Sequence, residues 1–248
     1  MCIIAWNWQP NSDNPLLLLA NRDEFYDRPA LAAHWWHGGN LLAGKDLQGG
    51  GSWLGVNQHK KMAVLTNYRD PQSVRTDSHS RGELVCNFLH QNIPARVFLE
   101  KLKSVSEQYN PFNLLLYDGN QLLGFESRKN NIINLDRGIG ILSNADFFSN
   151  WPKYKNLKNS FSNLVKNSID DNDNYFSILR DENKASDLDL PDTGLPLNLE
   201  RELSSVFVRM PAYGTRASTI IKINKKFSIS IERSYNYNSV ISEVNHNF

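Results

Sequence analysis

The stretch "CIIAWNWQPNSDNPLLLLANRDE", residues 2–24, holds two apolar runs separated by "QPNSDN". Pro, Asn, Ser and Asp each favour turns, so the pair reads as an antiparallel hairpin. Neither run alternates apolar with polar residues, and both strands are therefore expected to be covered on two faces. Working outward, "NLLAGKD", "GSWLGVN" and "KMAVLTNY" read as further strands, the last two joined at "QHK". Ser80 and Glu83 have capping-box spacing ahead of Leu84, Val85, Phe88 and Leu89, which predicts a helix. A second helix is expected from about Pro94, with Val97, Phe98, Leu102 and Val105 on one side. "PFNLLLYD" and "QLLGFES" follow as strands about a Gly119-Asn120 turn, then "NIINLD" and "GIGILSN". Trp151 to about Ile169 reads as a helix through Leu157, Phe161, Leu164 and Val165. "DENKASDLDLPDTGLPLN" reads as a long polar surface loop, before strands at "SSVFVRM", "ASTIIKI" and "FSISIERSY". No repeat or linker interrupts the chain, so residues 1–248 are expected to form one α+β domain: two mainly antiparallel sheets face to face between helical layers.

Composition narrows the function classes. Lys and Arg number 27 against 26 Asp and Glu, a net charge of +1, without a like-charge block that would suit nucleic acid or an anionic membrane surface. The longest aliphatic run, Leu16 to Ala20, is far short of a membrane span, and no signal peptide is read at the start. With two cysteines and no secretory signal, both thiols are expected to be reduced and the protein cytoplasmic.

Cys2 is the residue with most chemical promise. Removal of Met1 would make it N-terminal, carrying a thiol and an α-amine of unperturbed pKa about 7.7 to 8.0, so that one residue would supply both nucleophile and base. Attack on an acyl carbon also needs hydrogen-bond donors or charge for the developing oxyanion. Polar residues close several apolar strands: Asn21, Arg22, Asp23 and Glu24 the second, Asn67 the run "MAVLTN", and Asn144 the run "GILSN", while Arg216 in "YGTRAST" opens a late strand. Any one of them could be a turn residue; their recurrence at strand ends is the signal.

On these segments the chain resembles the NRDE family, whose eukaryotic members are called transport and Golgi organisation proteins. The resemblance runs from "MC" through "ANRDE", Arg28-Pro29, "AGKDLQGGGSWLGVN", "LTNYRDP", "SRGELV", "FNLLLYD" and "LPDTGLP" to "YGTRASTII", about nine-tenths of the chain in the same order. It implies an N-terminal-nucleophile hydrolase fold with αββα layers. A more distant likeness, to the choloylglycine hydrolase and penicillin V acylase group, implies roles. By it Cys2 is the nucleophile, Asn67 and Asn144 donate near the oxyanion, Arg22 lies beside the thiol, Asp23 orients the α-amine and Arg216 completes the polar floor. That group places two residues between its Arg and Asp. Arg22 and Asp23 are adjacent, and only a turn at the strand end would bring both side chains to Cys2. The implied activity is cleavage of an amide or thioester bond in a small metabolite or acyl compound, with no cofactor and no metal. The alternative is a carrier or chaperone of haem or another hydrophobic metabolite, which Trp6, Trp8, Trp35, Trp36 and Trp53 would suit.

Other motifs are expected to be structural. His34 and His37 in "HWWHGG" could suggest a haem pocket, but loop histidines are usually solvated. Asp170, Asp171 and Asp173, like Asp187, Asp189 and Asp192, lack calcium-loop spacing and read as solvated loop charges. "AGKDLQGGGSW" lacks the ending of a phosphate loop, so its glycines read as places of close backbone approach. Cys86 falls on the apolar side of a helix.

Overall fold

The computed structural model describes residues 2–248. The opening hairpin forms as the run lengths predict: β1 spans Cys2–Trp8 and β2 spans Leu16–Phe25, with Cys2 opposite Arg22 and Trp8 opposite Leu16. β3 (Ala30–Trp35), β4 (Leu41–Asp46), β5 (Leu54–Asn57) and β6 (Met62–Asn67) lead to helices α1 (Gly82–His90) and α2 (Ala95–Lys103). Next come β7 (Phe112–Tyr117), β8 (Leu122–Glu126), β9 (Asn131–Asn134) and β10 (Gly138–Leu142). α3 (Pro152–Lys166), α4 (Asn172–Leu179) and α5 (Leu197–Glu202) precede β11 (Tyr213–Ile223), β12 (Ile229–Tyr235) and β13 (Val240–Asn247).

The strands make two antiparallel sheets, ordered β10-β1-β2-β11-β12-β13 and β3-β4-β5-β6-β7-β8-β9. Three apolar layers hold them. Ile4, Leu18, Val64 and Leu115 fill the space between the sheets. Val85, Phe88, Leu99 and Phe125 join α1 and α2 to the seven-stranded sheet. Ile3, Leu19, Phe161, Phe176 and Ile220 join α3 and α4 to the six-stranded one. β1 and β2 lie inside the six-stranded sheet with apolar material on both faces, which is why their sequences do not alternate.

Several elements differ from expectation. "SSVFVRM" is buried but adds no strand; apart from a bridge between Arg209 and Gly214, it is tied to Asp181 and Thr215. His34 lies in β3 rather than a loop. Asp171 caps α4, accepting from the Asn174 N–H at 3.1 Å, and Asp173 within that helix pairs with Arg233. β13, polar and half-exposed, was not expected. The Ser80–Glu83 capping box does not form, because Glu83 instead accepts from the Tyr109 hydroxyl at 2.6 Å. Between "GGGSW" and "SRGELV" the backbones meet: a Cβ on Gly51 would lie 2.4 Å from the carbonyl carbon of Gly82. This is the close approach expected of those glycines.

Candidate active site

The open end of the sandwich holds a cleft of about 820 Å³, with Cys2, Arg22, Asp23 and Asn67 on its wall. Strand register explains the first two. Ile3 packs toward the helices, so Cys2, one residue earlier, faces the other sheet, and its partner Arg22 faces the same way. The Arg22 guanidinium stacks on the Trp53 ring at 4.4 Å and meets Asp46 at 3.2 Å. Asp46 also binds Arg28, at 2.7 Å, and accepts from the Gly49 N–H at 2.8 Å. These cations and N–H donors hold its carboxyl below the usual range although burial opposes them.

No turn intervenes between Arg22 and Asp23. β2 runs on to Phe25, so the Asp23 side chain points to the helical side, where its carboxylate accepts from the Thr215 hydroxyl at 2.7 Å. The expectation of a turn is therefore corrected: the two side chains lie on opposite faces of one strand. Burial, helped by the Asp23 carboxylate, pushes the Cys2 thiol up, against the Arg22 guanidinium and the Asp23 N–H directed at the sulfur. Asn21, two residues before Asp23 and on its face, donates to the carbonyls of Leu179 (2.8 Å) and Val206 (2.9 Å) and accepts from Ser218.

Asn144 and Arg216 do not line this cleft. Asn144 is fully buried; its amide donates to the Asn67 carbonyl at 2.8 Å, and its own carbonyl accepts from the Arg69 N–H at 2.7 Å. Next to it the Ser143 hydroxyl lies 2.6 Å from the Cys2 carbonyl and 3.0 Å from the Asn144 side chain. Arg216 sits at a bulge in β11 and donates to the carbonyls of Phe25, Tyr26 and Arg28 at 2.7, 3.0 and 3.1 Å, bracing the turn that carries Arg28. It lines a neighbouring pocket of about 200 Å³ together with Arg22 and Trp53.

Behind Asp23 lies a second cluster that the sequence did not announce. Arg69 and Glu200 form a buried ion pair at 2.7 Å, and Arg69 lies 4.7 Å from the Trp151 ring. Glu200 also holds Thr193 of the "LPDTGLP" segment, fixing that loop. Lys153, in the first turn of α3, is buried with them, its pKa brought down to about 7 by burial and by Arg69, against Asp23, Cys2 and Glu200. Burial raises the Asp23 carboxyl in the same cluster, opposed by Lys153, Thr215 and Arg69. The motifs "LTNYRDP" and "YGTRAST" contain Arg69 and Thr215, so their position in matched segments was a usable signal; Lys153 lay in no matched segment.

Residues 1–237 match the model of the family described as Transport and Golgi organisation 2. The chain belongs to that family. Its relatives include the bovine and human transport and Golgi organization protein 2 homologs, each 34% identical over 246 residues, covering 90% of this chain and 89% of theirs. The mouse homolog is 33% identical over 257 residues, covering 94% and 93%. Among solved structures, two forms of conjugated bile acid hydrolase from Clostridium perfringens superpose with TM-scores of 0.53 and 0.54 at 12% and 11% identity. They cover 99% and 98% of this chain and 92% of each hydrolase. The family therefore has the N-terminal-nucleophile hydrolase fold in this member: two antiparallel sheets between helices.

His34 donates through Nδ1 to the Ala32 carbonyl at 2.8 Å, and His37 is exposed. Among the described residues no helix is long and apolar enough to cross a membrane, and no three His, Cys, Asp or Glu side chains are grouped to hold a metal.

Proposed function

We propose that this protein is an N-terminal-cysteine hydrolase acting on an amide or thioester of a small acyl compound. The observation that carries the reading is the register of β1 on β2, which sets the Cys2 side chain beside Arg22 on the wall of an 820 Å³ polar cleft. Because burial raises the Cys2 thiol, a standing thiolate is not the resting form at neutral pH, and its proton must leave as attack begins. In a chain beginning at Cys2 the residue's own α-amine is the base within reach, and Asp23 supplies the carboxylate at the strand end.

In the proposed sequence, sulfur attacks the acyl carbon while the α-amine takes the thiol proton. The Asn67 side chain and the Arg22 guanidinium offset the charge on the oxyanion. The ammonium then returns the proton to the leaving amine or thiol, leaving a Cys2 thioester. Water attacks that thioester, its proton passing to the α-amine, and the acid is released with the thiol restored. Asn144, Ser143 and Arg216 act as positioning residues, the first two fixing the strand ends that carry Asn67 and Cys2, the third the turn that carries Arg28.

The test is intact mass of the purified protein before and after exposure to an electrophilic acyl probe. A chain beginning at Cys2 and gaining one acyl group, with Cys2→Ala unlabelled yet equally folded, is the expected result. Retention of Met1 on most molecules, or equal labelling of Cys2→Ala, rejects the mechanism.

A further inference from the structure

The charges on the cleft wall do not cancel pairwise. Arg22 and Arg28 are matched by Asp46 at 3.2 and 2.7 Å and by Glu24 at 3.8 Å from each. Asp23 is turned to Thr215. Two further guanidiniums, Arg75 and Arg81, line the same cleft and form no ion pair among the described residues. Arg81 donates through Nη1 to the Pro111 carbonyl at 3.1 Å, and Arg75 through Nη2 to those of Glu107 and Tyr109 at 2.5 and 3.0 Å. A guanidinium has five N–H donors, so these contacts leave both with unused donors.

The segment that carries them is otherwise short and hydroxylated: Thr76, Ser78 and Ser80 also line the cleft. The Ser78 hydroxyl is buried without a hydrogen-bond partner. Gly82, at the end of this segment, is pressed against the 51–52 backbone, with the Ser52 N–H donating to its carbonyl at 3.2 Å, so the wall is anchored next to the strand that carries Trp53. Burial lowers the Arg81 pKa, opposed by the Cys2 sulfur in its thiolate form and by the Glu24 carboxylate and aided by Arg28, so Arg81 shares the electrostatics of the cleft wall without a contact ion pair. Unmatched cations, spare donors and an orphaned hydroxyl on a fixed wall form a site for an oxyanion.

We propose that Arg75 and Arg81 read an anionic group, a phosphate, sulfonate or carboxylate, carried by the acyl compound at a distance from the bond that Cys2 attacks. This deepens the hydrolase reading by naming the substrate class, and it rests on that reading for the word substrate. Arg75 and Arg81 are specificity-determining residues in it. They take no part in bond cleavage.

The experiment compares alkylation of Cys2 by iodoacetate, an anion, with alkylation by the neutral iodoacetamide, read by peptide mass at pH 7 and low ionic strength. Double substitution Arg75→Gln/Arg81→Gln is expected to lower the iodoacetate rate at least about fivefold more than the iodoacetamide rate, since a local cationic field favours the thiolate toward both reagents but attracts only the charged one. Arg75→Lys/Arg81→Lys should keep most of the preference. Methyl phosphate, methanesulfonate and acetate, each tried as a protectant of Cys2 in wild type, rank which oxyanion the wall takes, and none should protect the Gln pair. An unchanged ratio, or equal slowing by both reagents in the Gln and Lys pairs, overturns the proposal and leaves the arginines as loop braces. If the Gln pair fails to fold, Arg75→Gln alone is read the same way with a smaller drop. Alkylation needs only the thiol, so absence of turnover would reject the hydrolase while leaving this result standing.

Discussion

On one face of β2 the Arg22 side chain meets Asp46 and Glu24, which also bind the partly exposed Arg28 at the rim of the cleft; on the other, Asp23 meets Thr215 and faces Lys153 and Arg69 in the buried interior. The same residue classes occur on both faces, one position apart in sequence. Water makes the difference. At the rim a lost partner is replaced by solvent and screened by salt, whereas in the interior the remaining charge has nowhere to go. The rim can therefore change at little cost to stability, while the interior is bound to the fold.

That contrast breaks most visibly at the Arg69–Glu200 pair. Glu200→Gln leaves a buried guanidinium without its carboxylate and is expected to destabilise by about 3–5 kcal/mol in chemical denaturation. Arg69→Met/Glu200→Leu together should recover most of the loss. A double variant as unstable as the single one would show that packing of the 191–202 loop, not uncompensated charge, sets the cost.

Lys153 gives the interior a pH signature. Its folded pKa of about 7 lies below the ordinary 10.5, so between those values the unfolded chain binds more protons and stability rises with pH. The burial cost is fully present below pH 7 and fades as pH climbs toward 10.5. Relative to Lys153→Met, wild type should gain about 2–3 kcal/mol between pH 7 and pH 9. A pH-independent difference between the two proteins would mean that Lys153 is not held as a dry amine.

The smallest effect is expected at the rim. Arg28 is about one-third exposed and its pair with Asp46 is backed by Arg22, so Arg28→Gln should cost less than about 1 kcal/mol, shrinking further in 1 M salt. A loss as large as that of Glu200→Gln would erase the distinction between the two faces.

How much of this could be read in the chain follows the same division. The β1–β2 hairpin, α1, α2 and the β7–β8 turn were legible because run length, helical spacing and turn residues are local signals. "SSVFVRM" misled because Val206, Phe207 and Val208 are buried by packing rather than by a ladder, and β propensity registers burial as much as pairing. β13 was silent because an edge strand with half-exposed residues carries too few apolar side chains to stand out. For the candidate site, Cys2 stood out by its place next to Met1, and Arg22, Asp23 and Asn67 as polar ends of apolar runs, and all four line the cleft. Asn144 and Arg216 came from the same signal, yet their side chains serve backbone carbonyls, a distinction that strand-end position cannot make. Arg69, Lys153 and Glu200 are joined only by the tertiary fold, and no spacing rule links them.

The bulge in β11 sets a phase between two repeats. Thr215 lies opposite Asp23 and Ala217 opposite Arg22, neighbours that face opposite ways, although residues two apart on a regular strand face the same way. Arg216 is the extra step that lets one strand present a hydroxyl to the interior and a small methyl beside the Arg22 guanidinium. Deleting that one position would bring the two halves of β11 into a single alternation with Thr215 and Ala217 still on their faces, and the loss would fall on the turn after β2, whose carbonyls at Phe25, Tyr26 and Arg28 would have no guanidinium to gather them.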